Sequence, residues 1–286
     1  MVFSIVGLKF NFESIQVRRF IHPVFLSILL LLPLRAAAWQ DGVPRRPVAR
    51  LATYNVHGGL EASPRAVGRF LAGLNLDLLS LQEVPDQDYL AAIVAETGLD
   101  YFTPIDRFKA VLARQPLEGV ERLPLPTGRG VIRATAMLRG VPVSIYGIHN
   151  SWDQSGDREN RHIVNELLPA DTNPRKILLG DFNDEHYSTQ NIILESVLND
   201  AWTDLGVRPG ERTTWPATGF AGAEGHQLID LLMYDPAGGM FPVDVRIPKL
   251  APVLSDHRPV VFSMMLTEPI FVDPPQDFIV DAVFGS

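Results

Sequence analysis

The sequence predicts an α/β domain built on mixed β-sheets. Two observations carry this. Strand-like apolar runs and helix-like segments alternate along most of the chain, the pattern of strands joined by crossover helices. At Arg139-Gly140, by contrast, two strand-like runs meet across a two-residue turn, which joins antiparallel neighbours. A sheet with both kinds of connection is mixed rather than wholly parallel. Length agrees: 286 residues with 46% hydrophobic content suffice for one large core, and no internal repeat or low-complexity block interrupts it.

The elements follow in order. Arg50–Val56 reads as the first strand. Ser63-Pro64 opens a helix, with a capping hydroxyl followed by proline at the position whose N–H needs no partner. Leu76–Leu81 is a short apolar run with the composition of a buried strand. Gln87–Thr97 is helical and stops at Gly98, a residue suited to a left-handed cap. Phe108–Ala113 and Val131–Leu138 are strands, and Arg139-Gly140 turns the second of them into Val141–His149. Asp157–Leu168 is a helix ended by Pro169. Lys176–Gly180 is a buried strand, Ser188–Leu198 a helix, Leu228–Tyr234 a strand and Pro259–Met265 the last strand. Only 23 residues (85–107) separate Val84 from Phe108, which leaves little room for a substrate-recognition insert.

The two ends read differently. Arg18-Arg19 precede an apolar run from Phe20 to Leu34, and Ala36-Ala37-Ala38 supplies a small-residue cleavage pattern. Residues 1–38 are expected to be a signal peptide that directs export, with an uncleaved membrane anchor as the alternative. The run holds Pro23 and Pro33 and is shorter than a membrane span needs, so no stable span is expected after cleavage. Residues 39–49 are a polar linker with two prolines, and residues 50–266 form the domain. Residues 267–286, with Pro269, Pro274 and Pro275, form an extended tail.

Charge and cysteine usage narrow the chemistry. Residues 1–38 carry Lys9, Arg18, Arg19 and Arg35 against Glu13, a net +3, so the remainder carries −11 against −8 for the whole chain. So acidic a chain is a poor general binder of nucleic acid, because such affinity comes from neutralising phosphates with Lys and Arg. Cysteine is absent, which rules out disulfides, zinc–thiolate sites and thiol nucleophiles.

Polar residues gather at the edges of the apolar strands. Asn55 lies near the end of the first and Glu83 follows the second; His149 ends another. Asp181 and Asn183 follow Lys176–Gly180, Asp230 lies within its strand, and Asp256-His257 precede the last. Singly, each has an ordinary reading as a turn residue, helix cap or solvated side chain. Together they describe a scaffold that brings sequence-distant groups to one rim.

Six segments, TYNVHG (53–58), LQEV (81–84), GIHNS (147–151), GDFND (180–184), LID (228–230) and SDHRPV (255–260), follow one another in this order. The series resembles the motifs of the endonuclease/exonuclease/phosphatase superfamily over roughly residues 50–265. The resemblance implies a four-layer α/β/β/α sandwich, two mixed sheets face to face with helices outside and the site at one end. It also implies a metal-dependent hydrolysis of phosphoesters by an activated water. Glu83 and Asn55 would be oxygen ligands to Mg²⁺ or Mn²⁺, with Asp256 as a further metal-side carboxylate. Asp181 would activate the water and Asn183 would position it or a phosphate oxygen. His149 and His257 would contact the phosphate, and Asp230 would orient His257 and raise its pKa. Arg129 in GRGVIRA resembles a family arginine near the scissile phosphate, with Arg133 open to confusion with it.

Other groups read as structural. His57 is a neighbour of Asn55 rather than a ligand. Asp184-Glu185-His186 begins a loop and caps the next helix. Asp157, Arg158 and Arg161 form a charged helix face, while Trp152, Trp215 and Phe220 pack or anchor loops. Three functional readings compete: a phosphodiesterase acting on a small or lipid-linked substrate, a nuclease acting on DNA or RNA, and a catalytically silent binding domain. Retention of the whole carboxylate, amide and imidazole set argues against the last.

Overall fold

The computed structural model describes residues 48–185, 187–208, 210–217, 227–249 and 253–267. The expected signal segment, the linker as far as residue 47, His186, Phe220 and the tail beyond Thr267 lie outside them. Among the described residues, no helix is long and apolar enough to cross a membrane.

Twelve strands form two sheets. The first contains β1 (Val48–Asn55), β2 (Leu78–Gln82), β3 (Tyr101–Phe102), β4 (Ala110–Ala113), β11 (Met240–Arg246) and β12 (Val260–Leu266), in the order β11-β12-β1-β2-β4-β3. The second contains β5 (Leu117–Pro124), β6 (Gly130–Leu138), β7 (Val141–His149), β8 (Lys176–Asp181), β9 (Asn199–Asp200) and β10 (Asp230–Tyr234), in the order β5-β6-β7-β8-β10-β9. Each sheet is antiparallel except for one central parallel pair, β1 with β2 and β7 with β8. The longer helices are α1 (Pro64–Ala72), α2 (Gln87–Thr97) and α3 (Ser155–His162); α4 (Leu168–Ala170), α5 (Thr189–Glu195) and α6 (Ala201–Asp204) are shorter.

Strand alternation builds the layers. On β1, Leu51 joins an apolar cluster with Val111 of the first sheet and Ile145, Ile177 and Leu179 of the second, so the two sheets pack face to face. Its neighbours Ala52 and Tyr54 point the other way, into a second cluster with Val67 and Leu71 of α1 and Leu90 and Ile93 of α2. On the far side, Ile163, Leu168, Leu194 and Trp202 cover the second sheet. Two mixed sheets flanked by helices result, as the motifs imply.

Local signals act as the residues dictate. Ser63 Oγ accepts from Ala66 N at α1, Gly98 takes a left-handed φ of 67° after α2, and Ser188 Oγ accepts from Asn191 N at α5. Arg139 (φ 54°) and Gly140 (φ 84°) form the tight turn between β6 and β7.

Several expectations need correction. Pro169 does not end the helix before it. A π-helical segment, Ile163–Leu167, follows α3 and shifts the hydrogen-bond register, so Pro169 falls in the first turn of α4 where its missing N–H is tolerated. The strand expected from Phe108 begins at Ala110, because Arg107 (φ 45°) and Phe108 (φ 64°) form a turn instead. Leu76 likewise lies before β2, whose first residue is Leu78. Strands β5 and β11 have no counterpart in the sequence reading. Both are sheet edges: exposed Glu118, Glu121 and Arg122 break up the apolar residues of β5, while β11 holds Pro242 and a register shift between Pro242 and Asp244.

Candidate active site

Alternation also places the site. Leu51, Thr53 and Asn55 share the inner face of β1; Ile145, Gly147 and His149 that of β7; Ile177, Leu179 and Asp181 that of β8. The inter-sheet layer is apolar along most of its length and turns polar where these strands end. Thr53 Oγ1 donates to Gln82 Oε1 at 3.1 Å and Gln82 Nε2 to Ser80 Oγ at 2.9 Å, a buried polar step that leads to the site. Register completes the arrangement: Asp181 pairs with His149 across the parallel strand and with Asp230 across the antiparallel one.

Three of the predicted residues, Asn55, His149 and His257, converge on one oxygen of a fourth, Asp181 Oδ2. Asn55 Nδ2 donates to it at 2.9 Å and to Glu83 Oε1 at 3.0 Å, so the amide ties the two carboxylates together. His149 Nε2 lies 3.8 Å from the same oxygen and His257 Nε2 3.7 Å from it. His149 Nε2 is also 3.9 Å from Glu83 Oε1. Behind His257, Asp230 Oδ2 lies 3.0 Å from Nδ1, the expected pair. Asp181 Oδ1 accepts from Asn183 N at 2.9 Å, and Asn183 Nδ2 donates to Asn150 O at 2.9 Å. Glu83 (φ 55°) and Asn183 (φ 54°) both take left-handed backbone, which aims their side chains across the strand ends; for Glu83 this conformation is costly.

Asp256 approaches from another direction. Its Oδ2 accepts from Trp215 Nε1 at 3.0 Å, and its Oδ1 lies 3.6 Å from His57 Nδ1. Ser255 Oγ, 3.3 Å from that Oδ1, donates to Asn55 O at 2.7 Å, which joins this corner to β1. Trp215 thus anchors a loop, whereas Trp152 is exposed. His57 N donates to Asn55 Oδ1 at 2.9 Å and its ring engages Glu61, as befits a neighbour.

Burial sets the electrostatics. It works against charge on His257, but the Asp230 and Asp181 carboxylates outweigh it and push the imidazole up to about 10. His257 is therefore an imidazolium at neutral pH. Burial pushes His149 down to about 4 despite Asp181, so that ring is neutral. Complete burial raises the Asp181 carboxyl above the usual range, against the pull of His257.

Two basic residues complete the rim. Arg129 Nη1 donates to His149 O at 3.1 Å, whereas Arg133 pairs with Glu121 at 2.7 Å out on β5. Lys109 is 2% exposed and lines the same cavity as Glu83, His149 and Arg129. Burial pushes its ammonium down to about 8. The sequence reading missed it, since one lysine inside a strand-like run gives no signal. Buried Glu159 was missed too, hidden in the charged helix face; its Oε2 accepts from Ser151 N and its Oε1 from the hydroxyls of Ser151 and Thr127. It pins the loop after His149 and the turn before Arg129.

The donors suit a hard divalent cation. Glu83 and Asp181 present carboxylate oxygens on either side of the Asn55 amide, and Glu83 is half-buried, which leaves a face for water and substrate. Asp181, Asp230 and His257 also bring one ligand atom each within 4.8 Å of one another. Asp230 and His257 are hydrogen-bonded to each other, so that trio is better read as a proton-holding pair facing a carboxylate.

The sequence profile of the Endonuclease/Exonuclease/phosphatase family matches residues 52–257. The chain belongs to this family. Members of the endonuclease/exonuclease/phosphatase family are hydrolases of phosphoester bonds, metal-dependent in general. Solved structures share the fold at low identity. An endonuclease/exonuclease/phosphatase from Beutenbergia cavernae has a TM-score of 0.62 at 20% identity, over 77% of this chain and 72% of that one. D. rerio TDP2 complexed with single strand DNA product gives 0.62 at 19%, over 76% and 98%. Sphingomyelinase C from Streptomyces griseocarneus gives 0.54 at 16%, over 76% and 99%. No curated protein sequence matches the chain.

Proposed function

We propose that the protein is a phosphodiesterase that cleaves its substrate by in-line attack of a water molecule. One observation carries the reading: Asp181 Oδ2 lies within 4 Å of Asn55, His149 and His257 at once, so base, metal side and phosphate donors surround one point. Glu83 and Asn55 would hold Mg²⁺ or Mn²⁺, for which the Asn55 amide would turn its oxygen from His57 N toward the ion. Once bound, such an ion polarises the phosphoryl oxygen and acidifies coordinated water.

The remaining steps belong to the chain's own side chains. Asp181 accepts the proton of the attacking water at Oδ2, where burial strengthens its hold on a proton and the nearby His257 charge pulls the other way. Asn183, braced on Asn150, positions the water. His257 Nε2–H, held in place by Asp230 at Nδ1, donates to a phosphate oxygen as charge builds there. Neutral His149 and cationic Arg129 donate from the cavity side.

Purified protein assayed on bis(p-nitrophenyl) phosphate tests this directly. Turnover is expected to vanish in EDTA and return with Mg²⁺ or Mn²⁺. Unchanged turnover in excess chelator would refute the metal-dependent reading.

A further inference from the structure

Beside the proposed catalytic centre lies a cavity of about 580 Å³, a volume typical of small-molecule sites. Glu83 and His149 form its catalytic wall; Arg107, Phe108, Lys109 and Arg129 form the other. The turn that carries three of these is tightly made. Asp106 N and Lys109 O pair at 3.0 Å, Lys109 N and Asp106 O at 2.9 Å, and Phe108 O accepts from Val84 N at 2.8 Å. That last bond locks the turn to the residue after Glu83.

Lys109 is the unusual member. Its ammonium is buried, has three N–H donors, and among the described residues makes a single long hydrogen bond, 3.4 Å to Arg107 O. Leaving donors of a buried charge unmatched is costly unless a ligand matches them. Asp106 offsets part of the charge, and its Oδ2 lies 3.7 Å from Arg107 Nη1. Three cations thus gather at one cavity of a chain whose net charge is −8. Phe108, 61% exposed, adds an apolar surface at the rim.

We propose that this cavity binds a second phosphate group of the substrate, next to the one cleaved, and that Lys109 selects for it. The proposal rests on the phosphodiesterase reading and names its substrate class: diesters that carry a further phosphate, joined by a group able to lie against Phe108. A quaternary ammonium head group is disfavoured by the same three cations. Phosphorylated nucleotides and phosphorylated polyols share the required chemistry, and paired substrates separate them.

The test compares kcat/KM for the p-nitrophenyl ester of thymidine 5′-phosphate with and without a 3′-phosphate. A second comparison uses glycerophosphoinositol with and without a ring phosphate. The wild-type protein is expected to favour the extra phosphate in one pair by about tenfold or more, the size of one charge-assisted hydrogen bond. Lys109→Met should bring that ratio close to one, Lys109→Arg should keep part of it, and Arg133→Met should leave it as in the wild type. No preference in either pair, or a preference that survives Lys109→Met, overturns the proposal. Calorimetric titration of inorganic pyrophosphate into metal-free protein separates this from the parent reading. Lost affinity in Lys109→Met alongside absent diester turnover would sink the phosphodiesterase reading but keep the subsite; equal affinity in both proteins would sink the subsite.

Discussion

At the scale of single residues, Asp181 concentrates the chemistry because one of its oxygens faces three partners. Asp181→Asn keeps the shape and the hydrogen bond from Asn183 but removes the proton acceptor. Loss of kcat by about two to four orders of magnitude is expected, with little change in urea unfolding. A variant with near-normal kcat would move the base elsewhere. Asp230 and His257 act through each other, since the carboxylate holds both the proton and the orientation of the ring. Asp230→Asn and His257→Ala should therefore be non-additive in kcat/KM, the double variant being little worse than the worse single one. Additive losses would show the pair to be coincidental.

At the scale of elements, the site depends on how closely β7 and β8 approach. A Cβ on Gly180 would come 2.0 Å from Ile148 O on the neighbouring strand, so the glycine of GDFND is required by backbone contact rather than by chemistry. Gly180→Ala should wedge the parallel pair apart, cost about 1–3 kcal/mol in thermal unfolding and lower kcat, because His149 and Asp181 sit directly beyond the wedge. Unaltered Tm and kcat would mean that the strands can shift without disturbing the site. Turn residues and helix caps were legible in the sequence because each rests on nearest-neighbour chemistry, as Ser63 and Gly98 show. Edge strands β5 and β11 were not, since charges crowd the first and Pro242 with a register shift interrupts the second. The π segment before Pro169 was equally invisible, because proline signals a break only when the hydrogen-bond register stays α-helical.

Across the whole molecule, two histidines impose opposite pH dependences on the metal-free protein. His149 is held near 4 when folded against 6.5 when exposed, so between those values the unfolded chain takes up a proton that the folded one refuses. Its effect is a stability loss as pH falls from about 6.5 toward about 4. His257 is held near 10, so its contribution is complete below 6.5 and is lost as pH rises toward about 10. Denaturant unfolding across pH in EDTA should therefore show His149→Gln flattening the acid flank and His257→Gln the alkaline flank, each relative to wild type. If both variants parallel the wild-type curve, the burial and pairing assigned to these rings are wrong.

Along the linear chain, residue type and order alone were enough to identify the family, the strand-and-helix alternation and the groups able to do phosphoester chemistry. These depend on which atoms are present and on local backbone preferences. Direction was decided only in three dimensions: Arg129 rather than Arg133 at the rim, Asp256 turned toward Trp215, and Lys109 buried against the cavity. The reason is geometric. Which side chains meet depends on strand register and on how two sheets face each other, and residues 126 positions apart, such as Asn55 and Asp181, acquire a shared hydrogen bond only when both are set.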